Sequence, residues 1–401
     1  MLLTKLHLVN FRNYIEEEFS FHPKVNIILG ENAAGKTSIL EALSLFSLGT
    51  SVLATNDREM IQDGKLFLRV TVEQSNLSKD TLEFILLIQQ PQKCKYCIPQ
   101  EINKNETQYL KGETYRTRKL IRINKKPIKQ AEQLANFYQL IAIWADEIKI
   151  INEGPLERRK YFDYCIAQLY PYFIHLMRNY NKLLSLRNII LKKGNLKDGE
   201  LLVWSKQLAD VGSKVIVYRK KYLSELIPLI KYIINFLQFD NFSLEINYIA
   251  LSEKNLPSEE QSIKETFLSK LLASQIEERK KGYTLWGPHK DCFELILQGK
   301  SLKKYGSAGE KKLVLIILKL AHILLSEKVK QWLPIILLDD FLNHLDKENI
   351  EKLLAFLKTK GQLFITHTEN SPSFKIFPEV KFFYVSNGKL YKTELVKNEY
   401  I

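Results

Sequence analysis

Eight residues near the amino terminus have the types and spacing of a phosphate-binding loop. Residues 30–37 match the pattern G-x-x-x-x-G-K-[ST]. Small residues let backbone N–H groups close around phosphate oxygens, and the start of a following helix adds a favourable dipole. Lys36 would then bridge the β- and γ-phosphates, and the Thr37 hydroxyl would bind Mg²⁺. The predicted nucleotide-binding residues are Gly30, Glu31, Asn32, Ala33, Ala34, Gly35, Lys36, Thr37 and Ser38.

A second motif lies far along the chain, where the apolar run Pro334–Asp340 ends in two carboxylates. This Walker B pattern is typical of a buried strand whose carboxyl end faces a ligand crevice. Asp339 is predicted to hold Mg²⁺, directly or through water, and Asp340 to polarise the attacking water. Alone, such a run is more often a strand followed by a solvated turn. Together with the loop at 30–37, it favours the nucleotide interpretation.

A third motif is the segment Tyr305–Glu310, which precedes a strong helical pattern from Lys311 to Leu325. Ser307 occupies the position of a helix N-cap, and its hydroxyl group could contact a phosphate instead. The motif alone favours the simple N-cap.

The surrounding pattern predicts the elements that position these motifs. A short buried strand at 25–29 leads into the loop, and a helix from Thr37 to Leu48 follows it. Residues 66–99 are rich in β-branched and aromatic residues and predict an antiparallel meander. Residues 156–237 are helical in pattern, and a second strand-rich section begins near Tyr283. These features indicate an α/β protein with a helical insertion.

The charge of the chain favours an anionic partner. The 401 residues include 59 Lys plus Arg against 45 Asp plus Glu, which gives a net charge of +14. Residues 91–130 alone carry eleven basic residues and three Glu, a net charge of +8. Such an excess is typical of proteins that bind nucleic acid or a membrane surface, and composition does not choose between them.

Two basic groups are candidates for contact with nucleic-acid phosphates. The first lies in the basic segment and comprises Lys125, Lys126 and Lys129. The second begins the helical region and comprises Arg158, Arg159 and Lys160. A basic start to a helix-rich segment is more often a solvated face, so both interpretations remain open for the second group.

The sequence lacks the signals of export. No apolar core with a cleavage site begins the chain, and the most apolar stretch, residues 313–325, contains Lys319 and His322. The four cysteines fit a reducing compartment, so the expected location is the cytoplasm. Cys94 and Cys97 have the spacing of a zinc-binding pair, but they supply only half of the ligands of a tetrahedral site. We therefore favour two ordinary thiols.

The order of these motifs resembles that of ATP-binding-cassette (ABC) ATPases, in the branch that contains the SMC and RecF proteins. The finer resemblance is to the RecF family. It is carried by Leu6–Tyr14, by Thr37–Ala42, by Gly154–Asp163 and by Gly287–Asp291, and it extends over most of the chain.

The resemblance implies an ATP molecule sandwiched between two subunits. Lys36, Thr37 and the two Walker B aspartates would then face Ser307 and Gly309 of a second copy. Asp346 matches the aspartate of the family's D-loop.

His367 falls where the superfamily has a switch histidine at the γ-phosphate, although a capped surface histidine is an equal alternative. The sequence also departs from the family pattern. Ala33 stands where this branch usually has glycine, and Ala308, Glu310 and Lys311 stand where RecF proteins usually have glutamine. Alanine tolerates positive φ poorly, so Ala33 matters if that position needs it. These departures bear more on the prediction of ATP hydrolysis than on the prediction of ATP binding.

The implied fold is an ABC-type ATPase head, with a mixed sheet around the phosphate loop and an antiparallel meander. The head would comprise residues 1–150 and 280–401, with an α-helical arm at 151–279 inserted between its halves.

The implied function is that of an ATP-dependent homodimer with weak, DNA-stimulated ATP hydrolysis and Mg²⁺ as cofactor. It would bind single-stranded and gapped duplex DNA in recombinational repair and replication-fork maintenance, with RecR and RecO as partners. A non-catalytic DNA-tethering protein is an alternative. A transporter-type nucleotide-binding subunit is less favoured, because the helical arm between the two halves of the ATP site argues against it.

Overall fold

The structure is a computed structural model. It describes residues 2–75, 79–89, 116–128, 133–135, 138–193, 199–239, 242–254, 256–340, 342 and 347–398. The chain forms two compact units. The sheet unit comprises residues 1–145 and 332–401, and the helical unit comprises residues 146–331. Within the described residues, no helix has the length and apolar character needed to span a membrane.

The first sheet of the sheet unit is antiparallel and has the strand order β2-β1-β4-β5-β6-β7. Its strands are β1 (Leu2–Phe11), β2 (Tyr14–Ser20), β4 (Phe67–Ser75), β5 (Lys79–Gln89), β6 (Arg116–Ile123) and β7 (Lys126–Pro127). Alternation sets its faces: Leu68 and Val70 are buried, and Arg69 between them is exposed. The predicted meander is therefore confirmed over β4 and β5, and residues 90–99 of that prediction lie outside the described residues.

The second sheet is mixed and has the strand order β15-β14-β3-β13-β12-β8. Its strands are β3 (Val25–Leu29), β8 (Leu140–Trp144), β12 (Ile335–Asp339), β13 (Gln362–His367), β14 (Glu379–Ser386) and β15 (Lys389–Lys397). All residues of β3, β8 and β12 are buried, which explains their continuous apolar sequences. β3 pairs in parallel with both β13 and β14.

Among the described residues of the sheet unit, α1 (Lys36–Leu48) and α10 (Lys347–Leu357) are the α-helices with defined bounds, and residues 133–135 are also helical. α1 contacts strands of both sheets. Its buried residues Leu40 and Phe46 share one apolar core with Phe84 of the antiparallel sheet and Phe364 of the mixed sheet. The helix is therefore buried on nearly all sides, and it begins inside the predicted phosphate loop.

The helical unit contains eight helices among its described residues. They are α2 (Lys149–Asn152), α3 (Pro155–Leu169), α4 (Tyr172–Lys193), α5 (Glu200–Phe236), α6 (Glu260–Ala273), α7 (Gln275–Lys281), α8 (Leu302–Tyr305) and α9 (Ala308–Lys330). A small antiparallel sheet joins β9 (Leu244–Ile249), β10 (Cys292–Leu297) and β11 (Lys300–Ser301). Short 3₁₀ turns lie at Asp57–Met60, Ala145–Ile148, Pro288–Lys290 and Pro372–Ile376.

The compact units differ from the predicted domains over residues 280–331. The sequence interpretation assigned this segment to the ATPase head, whereas it packs within the helical unit. The reason is the long helix α9, which packs on α5. There, the buried His322 lies 3.1 Å from the hydroxyl group of Tyr222. Assignment of residues 280–331 to a functional head remains a prediction.

Candidate nucleotide-binding site

The phosphate-binding loop lies between β3 and α1, as the sequence predicts. Hydrogen bonds donated to its carbonyl groups by neighbouring segments hold its backbone in place. The Ala34 oxygen accepts from Asn13 Nδ2 at 3.2 Å and from the Gly388 amide at 3.1 Å, and the Gly35 oxygen accepts from Tyr14 Oη at 3.1 Å. Gly35 has φ of +108°, and a Cβ there would lie 2.6 Å from the Asn13 side chain. The site requires glycine at this position on both grounds.

The Lys36 side chain turns back toward the first residues of the phosphate loop. Its side chain is buried, and its ammonium group donates to the carbonyl oxygens of Gly30 and Glu31, at 2.7 and 2.9 Å. Burial lowers the pKa of Lys36, while Asp340 and Asp339 act in the opposite direction. A phosphate would offer this ammonium group a charged partner in place of neutral carbonyl oxygens. The position suits a phosphate ligand.

The two distant motifs meet at one point. The Thr37 hydroxyl donates to the Asp339 carboxylate, with Oγ1 at 2.9 and 3.0 Å from the two oxygens. Asp339 is 6% exposed, and burial raises its pKa, to which nearby Asp340 also contributes. A hydroxyl group and a carboxylate at the carboxyl end of a parallel strand are the hard oxygen donors that Mg²⁺ prefers. The residues therefore fit the predicted cation.

Thr366 joins the two Walker B aspartates, a role that the sequence interpretation missed. Its hydroxyl donates to Asp339 Oδ1 at 2.9 Å and accepts from the Asp340 amide at 2.8 Å. Thr366 is the penultimate residue of β13, which pairs in parallel with β12. Its place immediately before His367 at a predicted strand end was the available signal.

Asp340 has φ of +46°, a left-handed conformation that aspartate tolerates better than most residues. It lines a cavity of about 820 Å³, within the usual range for small-molecule sites. The cavity is lined by Arg12, Asn13, Ile15, Asn32, Ala33, Gly35, Lys36, Thr37, Ser38, Glu59, Ile61, Gln62, Asp63 and Asp340. Backbone strain of this kind concentrates at functional sites.

Ala33 has φ of +64°, so the position does require the left-handed region. For an L-residue this conformation costs about 1–2 kcal/mol relative to glycine. The sequence analysis noted that alanine would be unfavourable if this position needed positive φ, and it does. The surrounding fold holds Ala33 in this conformation.

A second missed feature is the ion pair between Arg12 and Glu41. Arg12 donates from Nε and Nη2 to the two Glu41 oxygens at 2.8 and 2.7 Å, and from Nη1 to the Glu59 carbonyl at 2.8 Å. Glu41 is 2% exposed on α1, whereas Arg12 lines the cavity. Both residues lie in segments that carry the family resemblance, which was the available signal.

His367 ends β13 directly opposite Leu29, the last residue before the loop. Its Nδ1 lies 2.8 Å from the Glu369 carbonyl oxygen, and its ring meets Phe374 edge to face. The histidine thus lies on the strand adjacent to the phosphate loop. Its switch role remains a prediction.

The Ser307 motif lies in the helical unit and forms a capping box. Ser307 Oγ accepts from the Glu310 amide at 3.2 Å, and Glu310 Oε2 accepts from the Ser307 amide at 2.7 Å. Ser307 and Gly309 are exposed at the start of α9. The predicted N-cap is confirmed, and the phosphate contact stays a prediction. Asp346, the predicted D-loop residue, lies outside the described residues.

The predicted DNA-binding residues divide into buried and exposed ones. Arg158 is 8% exposed and donates to the carbonyl oxygens of Phe293 and Glu153, so it is a structural residue and not a surface candidate. Arg159 donates to the Asp291 carbonyl at 2.6 Å. Lys160 is exposed and pairs with Glu157. Lys125 and Lys126 are exposed, with Lys125 in the hairpin turn after β6 and Lys126 at the start of β7. Lys129, Cys94 and Cys97 lie outside the described residues.

A phosphate loop between β3 and α1, and a carboxylate-ended parallel strand that meets it, define a P-loop nucleotide-binding protein. The family model for the RecF/RecN/SMC N-terminal domain matches residues 2–387. A DNA replication and repair protein RecF from Acetivibrio thermocellus is 33% identical, over 92% of this chain and 94% of that protein. The RecF of Alkaliphilus oremlandii is 29% identical, over 97% and 100%.

A solved structure of the recombination mediator protein RecF with ATP, in the RecFOR pathway, superimposes with a TM-score of 0.82. That protein is 27% identical, with 98% of this chain and 99% of that one covered. The chain therefore belongs to the RecF family, and the α/β ABC-type fold implied by the sequence is confirmed.

Proposed function

We propose that this chain binds ATP with Mg²⁺, hydrolyses it slowly, and uses the nucleotide to hold DNA as a homodimer. The observation that carries the proposal is the contact between Thr37 and Asp339, because residues 302 positions apart combine into one oxygen-donor site beside the phosphate loop. Family membership supports the biological setting, which is recombinational repair and replication-fork maintenance in the cytoplasm. RecO and RecR are the proposed protein partners.

Four side chains would act on the nucleotide. Lys36 leaves the carbonyl oxygens of Gly30 and Glu31 for the β- and γ-phosphates. Thr37 and Asp339 hold Mg²⁺, which supplies charge neutralisation to the phosphates when bound. Asp340 orients the water that attacks the γ-phosphorus, and the products are ADP and phosphate. The water's proton passes to solvent or to the released phosphate.

Dimerisation would complete the site. Ser307 and Gly309 are exposed at the start of a helix, where backbone N–H groups and the helix dipole favour an anion. In a dimer they would meet the γ-phosphate held by the loop of the other copy, and hydrolysis would then release the two subunits. His367, on the strand beside the loop, would contact the same phosphate.

The proposal is tested by measuring ATP hydrolysis and sedimentation with and without gapped DNA. Wild type is compared with Lys36→Met, Ser307→Arg and Asp340→Asn. We expect Lys36→Met to lose ATP binding, Ser307→Arg to bind ATP and stay monomeric, and Asp340→Asn to dimerise with ATP but turn over poorly. Exposed residues supply matched controls: Lys24→Met for the first variant and Ser224→Arg for the second.

Three results would count against the proposal. A wild-type chain that stays monomeric with ATP contradicts the shared site. ATP-dependent dimers that do not hydrolyse ATP above the Asp340→Asn background favour a non-catalytic tethering protein. Dimerisation of Ser307→Arg equal to that of Ser224→Arg removes the predicted role of the Ser307 motif.

A further inference from the structure

The antiparallel sheet carries basic side chains on the face that points away from the α1 core. Along β6, Ile121 and Ile123 point inward and pack against that core, so Arg118 and Arg122 point to the opposite face. Lys119, which alternation turns inward, donates to the Gly49 carbonyl and pairs with Asp57. The strand thus separates cations used for packing from cations presented to the outside.

Arg69 of β4 joins this outer face. The register places Arg69 opposite Ile85 of β5, and Ile85 opposite Leu120 of β6. Arg69 therefore lies level with the midpoint between Arg118 and Arg122. Two strand spacings, about 10 Å, separate it from β6.

Glu83 holds two of these arginines. Its Oε2 lies 2.9 Å from Arg122 Nη1, and its Oε1 lies 3.5 Å from Arg69 Nε. One carboxylate between two guanidinium groups leaves a net positive charge while it limits their side-chain freedom. Each guanidinium keeps further N–H groups that suit phosphate oxygens.

The hairpin after β6 extends the charge. Lys125, at φ of +66°, and Lys126 are exposed there, and no carboxylate of the described residues lies within ion-pair distance of them or of Arg118. From Arg118 to Ile123, the last residue of β6, the extended strand covers about 17 Å, and Asn124 and Lys125 form the turn that follows. We call Arg69, Arg118, Arg122, Lys125 and Lys126 the basic edge.

The far side of the same face has the opposite charge. On β2, Glu16 and Glu18 stand opposite Val9 and His7 of β1, and Glu18 pairs with Lys5. An extended polyanion is therefore attracted to the β4–β7 side and repelled from the β2 side. The asymmetry gives a bound polyanion one preferred position on the sheet.

We propose that the basic edge binds the phosphate backbone of DNA. The length of the edge along β6 corresponds to about five phosphates of one DNA strand, which carries one phosphate per about 3.4 Å of duplex axis. Arginine forks and exposed lysines contact phosphates without reading base edges, so the contact is independent of sequence. The inference rests on the proposed function, which it deepens by naming the surface that the DNA meets.

The test compares two triple variants of the full-length chain with ATP and gapped duplex DNA. One is Arg118→Gln/Lys125→Gln/Lys126→Gln. Its control is Lys358→Gln/Lys375→Gln/Lys389→Gln, which removes the same charge from exposed lysines outside the antiparallel sheet. We expect the first to weaken DNA binding by about one to two orders of magnitude at 0.1 M salt. It should also lower the slope of log K against log salt by about 2–3. The control should change little.

Glu83→Gln supplies a test of opposite sign. If Glu83 acts on DNA only through the charge of the edge, its neutralisation should strengthen DNA binding several-fold. If the face has only a structural role, the same change should weaken binding or leave it unaltered, and the inference fails. Circular dichroism and ATP binding should match wild type in all variants, because none of these residues contacts the nucleotide site.

Three other outcomes would contradict either the proposed function or the role of the basic edge. If wild type does not bind DNA with ATP, the proposed function fails at its DNA step. If wild type binds and the two triple variants weaken equally, DNA responds only to overall charge and the basic edge is refuted. If the edge variant loses binding to phosphatidylserine vesicles and keeps DNA binding, the surface serves a membrane and the inference is wrong.

Discussion

The buried ion pairs of the helical unit and the nucleotide site of the sheet unit use charged side chains in opposite ways. In the helical unit, Arg187 and Glu278 are both fully buried and bond to each other at 2.6 Å, and Arg187 also bonds to Thr284 and Ser205. In the nucleotide site, by contrast, Lys36 lines an open cavity and its ammonium group has only neutral oxygens as hydrogen-bond partners among the described residues. Charges of the first kind stabilise the fold, whereas charges of the second kind are arranged for a ligand.

The comparison explains why sequence reasoning misjudged Arg158. A basic run at a helix start looks the same in sequence whether its charges face solvent or neighbouring backbone. Arg219, which pairs with Asp163 and Asp291, shows the same buried use of a guanidinium group. Only the burial supplied by residues distant in the chain distinguishes the two uses.

The largest expected effect is on the buried pair. Arg187→Met leaves the buried Glu278 carboxylate without a charged partner among the described residues, with only the Leu285 amide still donating to it, and we expect the free energy of unfolding to fall by about 3–5 kcal/mol. Urea unfolding measures this, with the exposed Arg279→Met as control. Arg187→Met/Glu278→Leu should recover part of the loss. Equal stability of Arg187→Met and Arg279→Met would abolish the distinction between the units.

Lys36→Met should show the reverse pattern. Its removal takes away a charged hydrogen-bond donor to phosphate, which is worth about 2–3 kcal/mol, so ATP affinity should fall at least thirtyfold. The free energy of unfolding should change by less than about 1 kcal/mol. Titration calorimetry and urea unfolding of the same preparation measure both. A large loss of stability with intact ATP binding would place Lys36 among the structural charges.

Buried histidines make the helical unit sensitive to acid. His322 contacts Tyr222 and Gln168, and burial lowers its pKa to about 3, with Lys319 acting in the same direction. The unfolded chain, with a histidine pKa near 6.5, therefore takes up the proton first as the pH falls. Stability present above about pH 6.5 is lost on acidification, by up to about 1.4 kcal/mol per pH unit.

His322→Gln isolates that contribution to the pH dependence. The variant should lose stability less steeply than wild type between pH 6.5 and 5, in urea unfolding at each pH. His289, whose pKa burial lowers to about 4, remains in both proteins and serves as an internal reference. Parallel pH profiles would mean that His322 does not stay neutral in the folded chain.

The smallest expected effect concerns the loop itself. Ala33→Gly removes a strain of about 1–2 kcal/mol and adds an entropic cost of about 0.5–1 kcal/mol, so stability should rise by up to about 1.5 kcal/mol. Ala34→Gly is the matched control, because its φ is not positive, and it should be slightly destabilising. A loss of stability in Ala33→Gly comparable to that of Ala34→Gly would mean that no strain is stored at the position.

Sequence reasoning succeeded where the signal is local. The strand, loop and helix around Lys36 follow from a short motif and its flanking periodicity, and so does the N-cap at Ser307. It failed where the cause is tertiary, as with the Arg12–Glu41 pair and the packing of α9 on α5. The opposite orientations of Arg118 and Lys119 are an intermediate case. Strand alternation predicts them from the sequence, but only after the strand boundaries are known.

The position of β3 has a consequence for the order in which the chain is made. β3 carries the phosphate loop, but its two neighbours in the sheet, β13 and β14, are synthesised more than three hundred residues later, and so is the Gly388 amide that holds Ala34. Domains assemble during synthesis as their parts leave the ribosome. The loop therefore leaves the ribosome early and lacks these later partners for most of translation, although Asn13 and Tyr14, which also hold it, precede it in the chain. A chain cut before Gln362 would keep the whole phosphate motif and still lack its site, so nucleotide binding marks a chain synthesised at least through Gly388.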